Sequence, residues 1–116
     1  MSLGEHLKKA RKKLREESKD YSLRKVAERV GVTPGFLSQL ESGKASPPSE
    51  EVIVALAKEL GEDPDVLLAM GGKVSSRLKA AIMRRPKLFA ELISTVEKLP
   101  DEAVLRIVRE VKDGDW

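Results

Sequence analysis

Ser22-Leu23-Arg24-Lys25-Val26-Ala27-Glu28-Arg29-Val30-Gly31-Val32-Thr33-Pro34-Gly35-Phe36-Leu37-Ser38-Gln39-Leu40-Glu41-Ser42-Gly43 reads as two short helices joined by a tight turn. Ser22 is placed to cap the first helix, Leu23, Val26, Ala27 and Val30 supply its inward stripe, and Gly31 is its expected stop. Thr33 is the next cap, with Pro34 at the first helical position, where a missing N–H costs nothing because that group has no partner inside the helix. Phe36, Leu37 and Leu40 give the second helix its apolar side, and Gly43 closes it.

Further helices flank this pair. Upstream, Leu3, Leu7, Ala10 and Leu14 recur at helical spacing with Lys8, Lys9, Arg11, Lys12, Lys13 and Arg15 between them, which predicts an amphipathic helix with a basic outer side ending near residues 18–20. Downstream, Lys44-Ala45-Ser46-Pro47-Pro48 breaks the chain. Ser49, with Glu50 and Glu51 at the positive end, opens a fourth helix carrying Val52, Ala55, Leu56 and Leu60 and stopping at Gly61. Asp63-Pro64 opens a short fifth through Val66, Leu67 and Met70, and Gly71-Gly72 is the expected domain boundary. Beyond it, helices are predicted over 77–85, 88–99 and 101–113, separated by Pro86 and Pro100.

Two short helices around a glycine-containing turn are what a helix-turn-helix requires, the second helix being narrow enough to enter a DNA major groove. The quoted stretch, with Lys44, the Pro48 loop and the helix after it, resembles the lambda-repressor-like (xenobiotic response element) family of DNA-binding domains over about residues 3–70. Its most telling piece is Leu37-Ser38-Gln39-Leu40-Glu41-Ser42-Gly43-Lys44. The resemblance implies that bases are read by the start and outward face of the third helix, here Pro34, Gly35, Phe36, Ser38 and Gln39. The Gln39 amide both donates and accepts, as adenine N6 and N7 require. The Phe36 ring is placed either to touch a thymine methyl or to cover the core. Ser22, Arg24, Thr33 and Lys44 are the implied phosphate contacts. One departure stands out: many members carry Gln at the start of the second helix to clamp a phosphate, and this chain carries Leu23.

Charge supports a polyanion partner. Residues 1–44 hold eleven Lys or Arg against six Asp or Glu, residues 45–72 one against six, and residues 73–116 ten against seven, so a net charge of only +3 conceals a basic first third. Leu, Ala, Glu, Lys and Arg dominate while aromatic residues are 3%, which favours an all-α fold. With no Cys, disulfides and thiolate chemistry are excluded, and His6 alone in a lysine-rich helix argues against a catalytic or metal site. No cofactor is expected. The N-terminus has neither a signal-peptide pattern nor a spanning run, so a cytoplasmic protein with no membrane partner is expected.

Residues 73–116 carry two apolar stripes: Leu88, Leu92, Ile93 and Val96, then Val104, Ile107, Val108 and Val111. These stripes pack within the chain, join two copies or bind another protein. The run Leu99-Pro100-Asp101-Glu102-Ala103 with Leu105-Arg106-Ile107-Val108-Arg109-Glu110-Val111 resembles tails of regulators found with mobile elements and prophages, some of them paired with a metallopeptidase. The expectation is therefore an all-α protein: a five-helix lambda-repressor-like DNA-binding domain over 1–72 and a helical dimerisation or partner-binding extension over 73–116. Its partners would be double-stranded DNA and a second copy of itself. The alternative is an antitoxin or immunity-type regulator whose extension binds a partner protein.

Overall fold

Local start and stop chemistry sets the elements of the computed structural model, which describes residues 2–116. The helices are α1 (Leu3–Arg15), α2 (Leu23–Val30), α3 (Pro34–Glu41), α4 (Glu50–Leu60), α5 (Pro64–Met70), α6 (Ser76–Arg84), α7 (Pro86–Val96) and α8 (Asp101–Asp113), with no strand among the described residues. The predicted caps are made. Ser22 Oγ accepts from the N–H of Lys25 at 3.3 Å, Thr33 Oγ1 from Phe36 at 3.1 Å, Ser49 Oγ from Val52 at 3.4 Å and Asp63 Oδ1 from Asp65 at 2.8 Å. Each such cap satisfies an amide that the helix itself leaves unpaired and stabilises by about 1 kcal/mol.

Two helices differ most in extent from the sequence reading. α1 stops at Arg15, and Lys19–Tyr21 forms a separate 3-10 turn capped by Ser18, whose Oγ accepts from the N–H of Asp20 at 3.1 Å. The serine hydroxyl offers the backbone a local alternative once the apolar stripe has ended at Leu14. α7 starts at Pro86 rather than 88, since a proline is tolerated at the first helical position, and it ends at Val96.

The first compact unit ends at Leu78. Its core is built from Leu7 of α1, Val26 of α2, Leu37 of α3, Ile53 and Leu56 of α4, and Leu67 and Leu68 of α5, all fully buried. Burying one such side chain contributes roughly 1.5–3 kcal/mol. α1 lies against α3 and α4, α2 against α3 and α4, and α4 against α5. The α1–α3 approach is close enough that a Cβ at Gly4 would overlap the carbonyl oxygen of Leu40 and sit 2.9 Å from that of Glu41.

The unit extends six residues past Gly71-Gly72, so residues 73–78 belong to the first unit rather than to the extension. The cause is a set of long-range contacts. Lys73 Nζ donates to Pro48 O at 2.8 Å, the N–H and Oγ of Ser76 both donate to the Glu50 carboxylate at 2.6 Å, and Arg77 pairs with Asp65. Ser75 is buried, and its Oγ accepts from the N–H of Leu78 at 3.1 Å to cap α6. The second unit, Lys79–Trp116, consists of the rest of α6 with α7 and α8. Among the described residues no helix is long and apolar enough to cross a membrane.

Candidate nucleic-acid interface

The turn between α2 and α3 needs Gly31, which adopts φ 86°, a left-handed conformation where a side chain would collide with its own backbone. Its N–H and that of Val32 close on Ala27 O at 2.9 and 3.0 Å. Ala27 is fully buried, so α2 meets its neighbours with only a methyl group between. α3 leaves this turn with Leu37 and Leu40 on the buried side, and Pro34, Gly35, Ser38 and Gln39 exposed on the other. Among the five residues expected to read bases, Phe36 stands apart: it is half-buried and packs against the core. The four others form one solvent-facing surface at the start and outer side of α3.

The residues expected at phosphates differ in how they are held. Arg24 and Lys44 are exposed, and no ion pair among the described residues engages either. Nearby cations are committed: Arg29 pairs with Glu59 at 2.7 Å and lies 5.5 Å over the Tyr21 ring, and Lys25 sits 3.4 Å from Asp20. The Lys44 N–H donates to Gln39 O at 2.8 Å, which folds this residue back onto the end of α3. Ser22 and Thr33 accept helix amides through their hydroxyl oxygens, leaving each O–H hydrogen available to a phosphate at a helix N-terminus, where the helix dipole favours an anion. Leu23 is half-buried against the core, so this side chain packs and offers no polar group to a phosphate.

Arg11 corrects the expectation of a uniformly basic outer side on α1. It is buried, with its Nε donating to Glu41 Oε2 at 2.7 Å, Nη2 to Glu41 Oε1 at 2.9 Å and Nη1 to Tyr21 O at 3.2 Å. The signal was one of register: Arg11 lies four residues after Leu7, and Glu41 four after Leu37, so both share the buried faces of their helices. Lys8, Lys9, Lys12 and Lys13 remain exposed along α1 and carry its positive surface.

His6 Nε2 lies 2.9 Å from Glu62 Oε1, a surface link between α1 and the turn before α5. Among the described residues no group of three or more His, Asp or Glu side chains is arranged to hold a metal. Asp65 has its carboxyl held below the usual carboxylate range, by the hydrogen bond from Arg77 first and then by that from Ser75.

A family model described as helix-turn-helix matches residues 12–67, a span that enters α1, contains α2 to α4 and reaches Leu67 in α5. No curated protein and no solved structure matches the chain. The capped α2, the left-handed glycine turn, the exposed outer face of α3 and this match agree: residues 12–67 form a helix-turn-helix domain of the lambda-repressor-like (xenobiotic response element) type, which supports a DNA-binding transcription regulator.

Proposed function

We propose that the chain is a sequence-specific repressor that binds double-stranded DNA as a homodimer, at promoters of a prophage, a mobile element or its own operon. The observation that carries this reading is the outer face of α3, where Ser38 and Gln39 stand exposed, with Arg24 of α2 and Lys44 after α3 also exposed. Gln39 reads a base edge, with adenine the best chemical match, and Ser38 reaches a base or phosphate oxygen. Ser22, Arg24, Thr33 and Lys44 hold phosphates and set the register of α3 in the groove. Pro34 and Gly35 offer few donors to base edges, and Phe36 spends most of its ring on the core, so discrimination rests on few direct contacts together with DNA shape. Repression, rather than activation, follows the habit of the family.

The test is a titration of labelled duplex from the chain's own promoter region against an unrelated duplex of equal length, at several stated salt concentrations. Binding at least about 10³-fold tighter to the promoter duplex, with affinity falling steeply with salt, is the expected result. Equal affinity for both duplexes contradicts the reading. A second reading, an antitoxin or immunity-type regulator, is favoured by the exposed apolar side chains of the second unit, which suit a partner protein.

A further inference from the structure

Charge along the C-terminal part of the chain is sharply divided. Residues 66–90 hold six Lys or Arg and no Asp or Glu, whereas residues 91–116 hold four against seven. Two of the six cations are used within the first unit: Lys73 Nζ donates to Pro48 O at 2.8 Å, and Arg77 pairs with Asp65. The other four, Lys79, Arg84, Arg85 and Lys87, are exposed, and no ion pair among the described residues engages any of them. Arg84 ends α6, and α7 begins two residues later at Pro86. At this corner Arg84 and Arg85 line a hollow of about 410 Å³ together with Ala81 and the half-buried Phe89. Two guanidinium groups at one hollow repel each other, and no carboxylate lines it to offset them. An anion seated there removes that repulsion.

We propose that Arg84 and Arg85, with Lys87 beside them, form a second DNA contact, one that grips backbone phosphate and carries no sequence preference. Each guanidinium is a planar fork that matches two phosphate oxygens, and such charge-assisted bonds are the stronger class. Neither Asn nor Gln lines the hollow, so the amide that matches adenine, as at Gln39, is absent from it. Duplex DNA is selected over an acidic protein because the chain already holds it. Only six residues of chain separate Arg84 from Leu78, where the first unit ends, a span of at most about 20 Å. A duplex carries one phosphate charge per about 1.7 Å of its axis. Tethering therefore presents the patch with phosphate at a higher effective concentration than a free partner reaches. This inference rests on the DNA-binding reading of the first unit and adds a contact in the second.

The test takes the full chain and the same promoter and unrelated duplexes, with affinity followed by anisotropy from about 50 to 200 mM salt. Two phosphate contacts contribute about 1.8 to the slope of log affinity against log salt, so the Arg84→Ala, Arg85→Ala variant should lose that much per chain bound. Its affinity deficit, widest at the lowest salt, should shrink about tenfold across the range on both duplexes. Arg84→Lys with Arg85→Lys conserves charge and should keep most of the slope. Arg106→Ala with Arg109→Ala removes the same charge from α8, where Glu102 and Glu110 each lie four residues from Arg106, and should keep the wild-type slope. An unchanged slope in the Arg84→Ala, Arg85→Ala variant overturns the proposal, as does an equal fall in the α8 variant. A lower ratio of promoter to unrelated affinity also overturns it, because the arginines would then read bases. So does a change in the mass of the DNA-free chain by sedimentation, which would assign the patch to a protein contact. The two readings fail separately. A wild-type chain that treats both duplexes alike, with the slope loss intact, sinks the α3 reading alone, and full discrimination with no slope loss sinks the second contact alone.

Discussion

Arg11 on α1 grips both carboxylate oxygens of Glu41 at the end of α3, at 2.7 and 2.9 Å, with less than a tenth of either residue exposed. Its remaining donor reaches Tyr21 O at 3.2 Å, just before α2. One side chain thus ties three elements that position the outer face of α3. A paired, hydrogen-bonded charge can stay inside, whereas a lone one is costly. Glu41→Gln should therefore destabilise the first unit by about 3 kcal/mol, and the Arg11→Met, Glu41→Leu double variant should recover most of that loss. Urea denaturation of the set decides it, and additive losses in the double variant would contradict the pairing.

Gly4 faces backbone rather than movable side chains, so α1 or α3 must shift to admit a methyl group there. Gly4→Ala should cost about 2 kcal/mol. Gly35 has nothing within 4 Å of its added Cβ, and Gly35→Ala in the first turn of α3 should leave stability unchanged or slightly raised. Thermal melts of the two variants separate these outcomes. DNA affinity of Gly35→Ala should nonetheless fall if the start of α3 approaches base edges closely, a loss that no folding defect would explain.

Roles on the outer face separate by kind of loss. Gln39→Ala should reduce discrimination between cognate and unrelated duplexes by about 1–3 kcal/mol while sparing non-specific affinity. Arg24→Ala and Lys44→Ala should weaken all duplexes alike, each lowering the slope of log affinity against log salt by about one. Anisotropy titrations at several salt concentrations read both quantities, and identical behaviour of all three variants would overturn the assignment.

Much of this was legible because it is local chemistry. Ser22, Thr33-Pro34, Ser49 and Asp63-Pro64 announce helix starts within a few residues of where they act, and Gly31 and Gly61 announce stops. The exposure of Ser38 and Gln39 follows from their position between Leu37 and Leu40. Non-local matches were the difficulty. Arg11 looks like its neighbouring lysines until Glu41, thirty residues on, is brought beside it. The glycine pair at 71–72 resembles a boundary, yet Ser76 and Arg77 find partners at Glu50 and Asp65, which no local pattern reveals. Gly4 carries no signal at all until α3 lies across it.

The Asp65–Arg77 pair fastens the start of α6 to α5 and makes that fastening acid-sensitive. The folded carboxyl titrates below its unfolded value, so its contribution is complete above the ordinary aspartate pKa and is lost as pH falls through the lower folded value. NMR titration of the Asp65 carboxyl should place its midpoint below the usual range, and Arg77→Ala should move it upward. An unchanged midpoint in that variant would assign the shift to other groups.

The most direct test of the central claim, that the α3 face reads sequence for a two-fold regulator, is selection of bound duplexes from a random pool of about 30 base pairs at stated salt. The account predicts a palindrome with half-site centres about 10 base pairs apart, more weakly enriched in Gln39→Ala. Binding to the pool without enrichment of any sequence would contradict it.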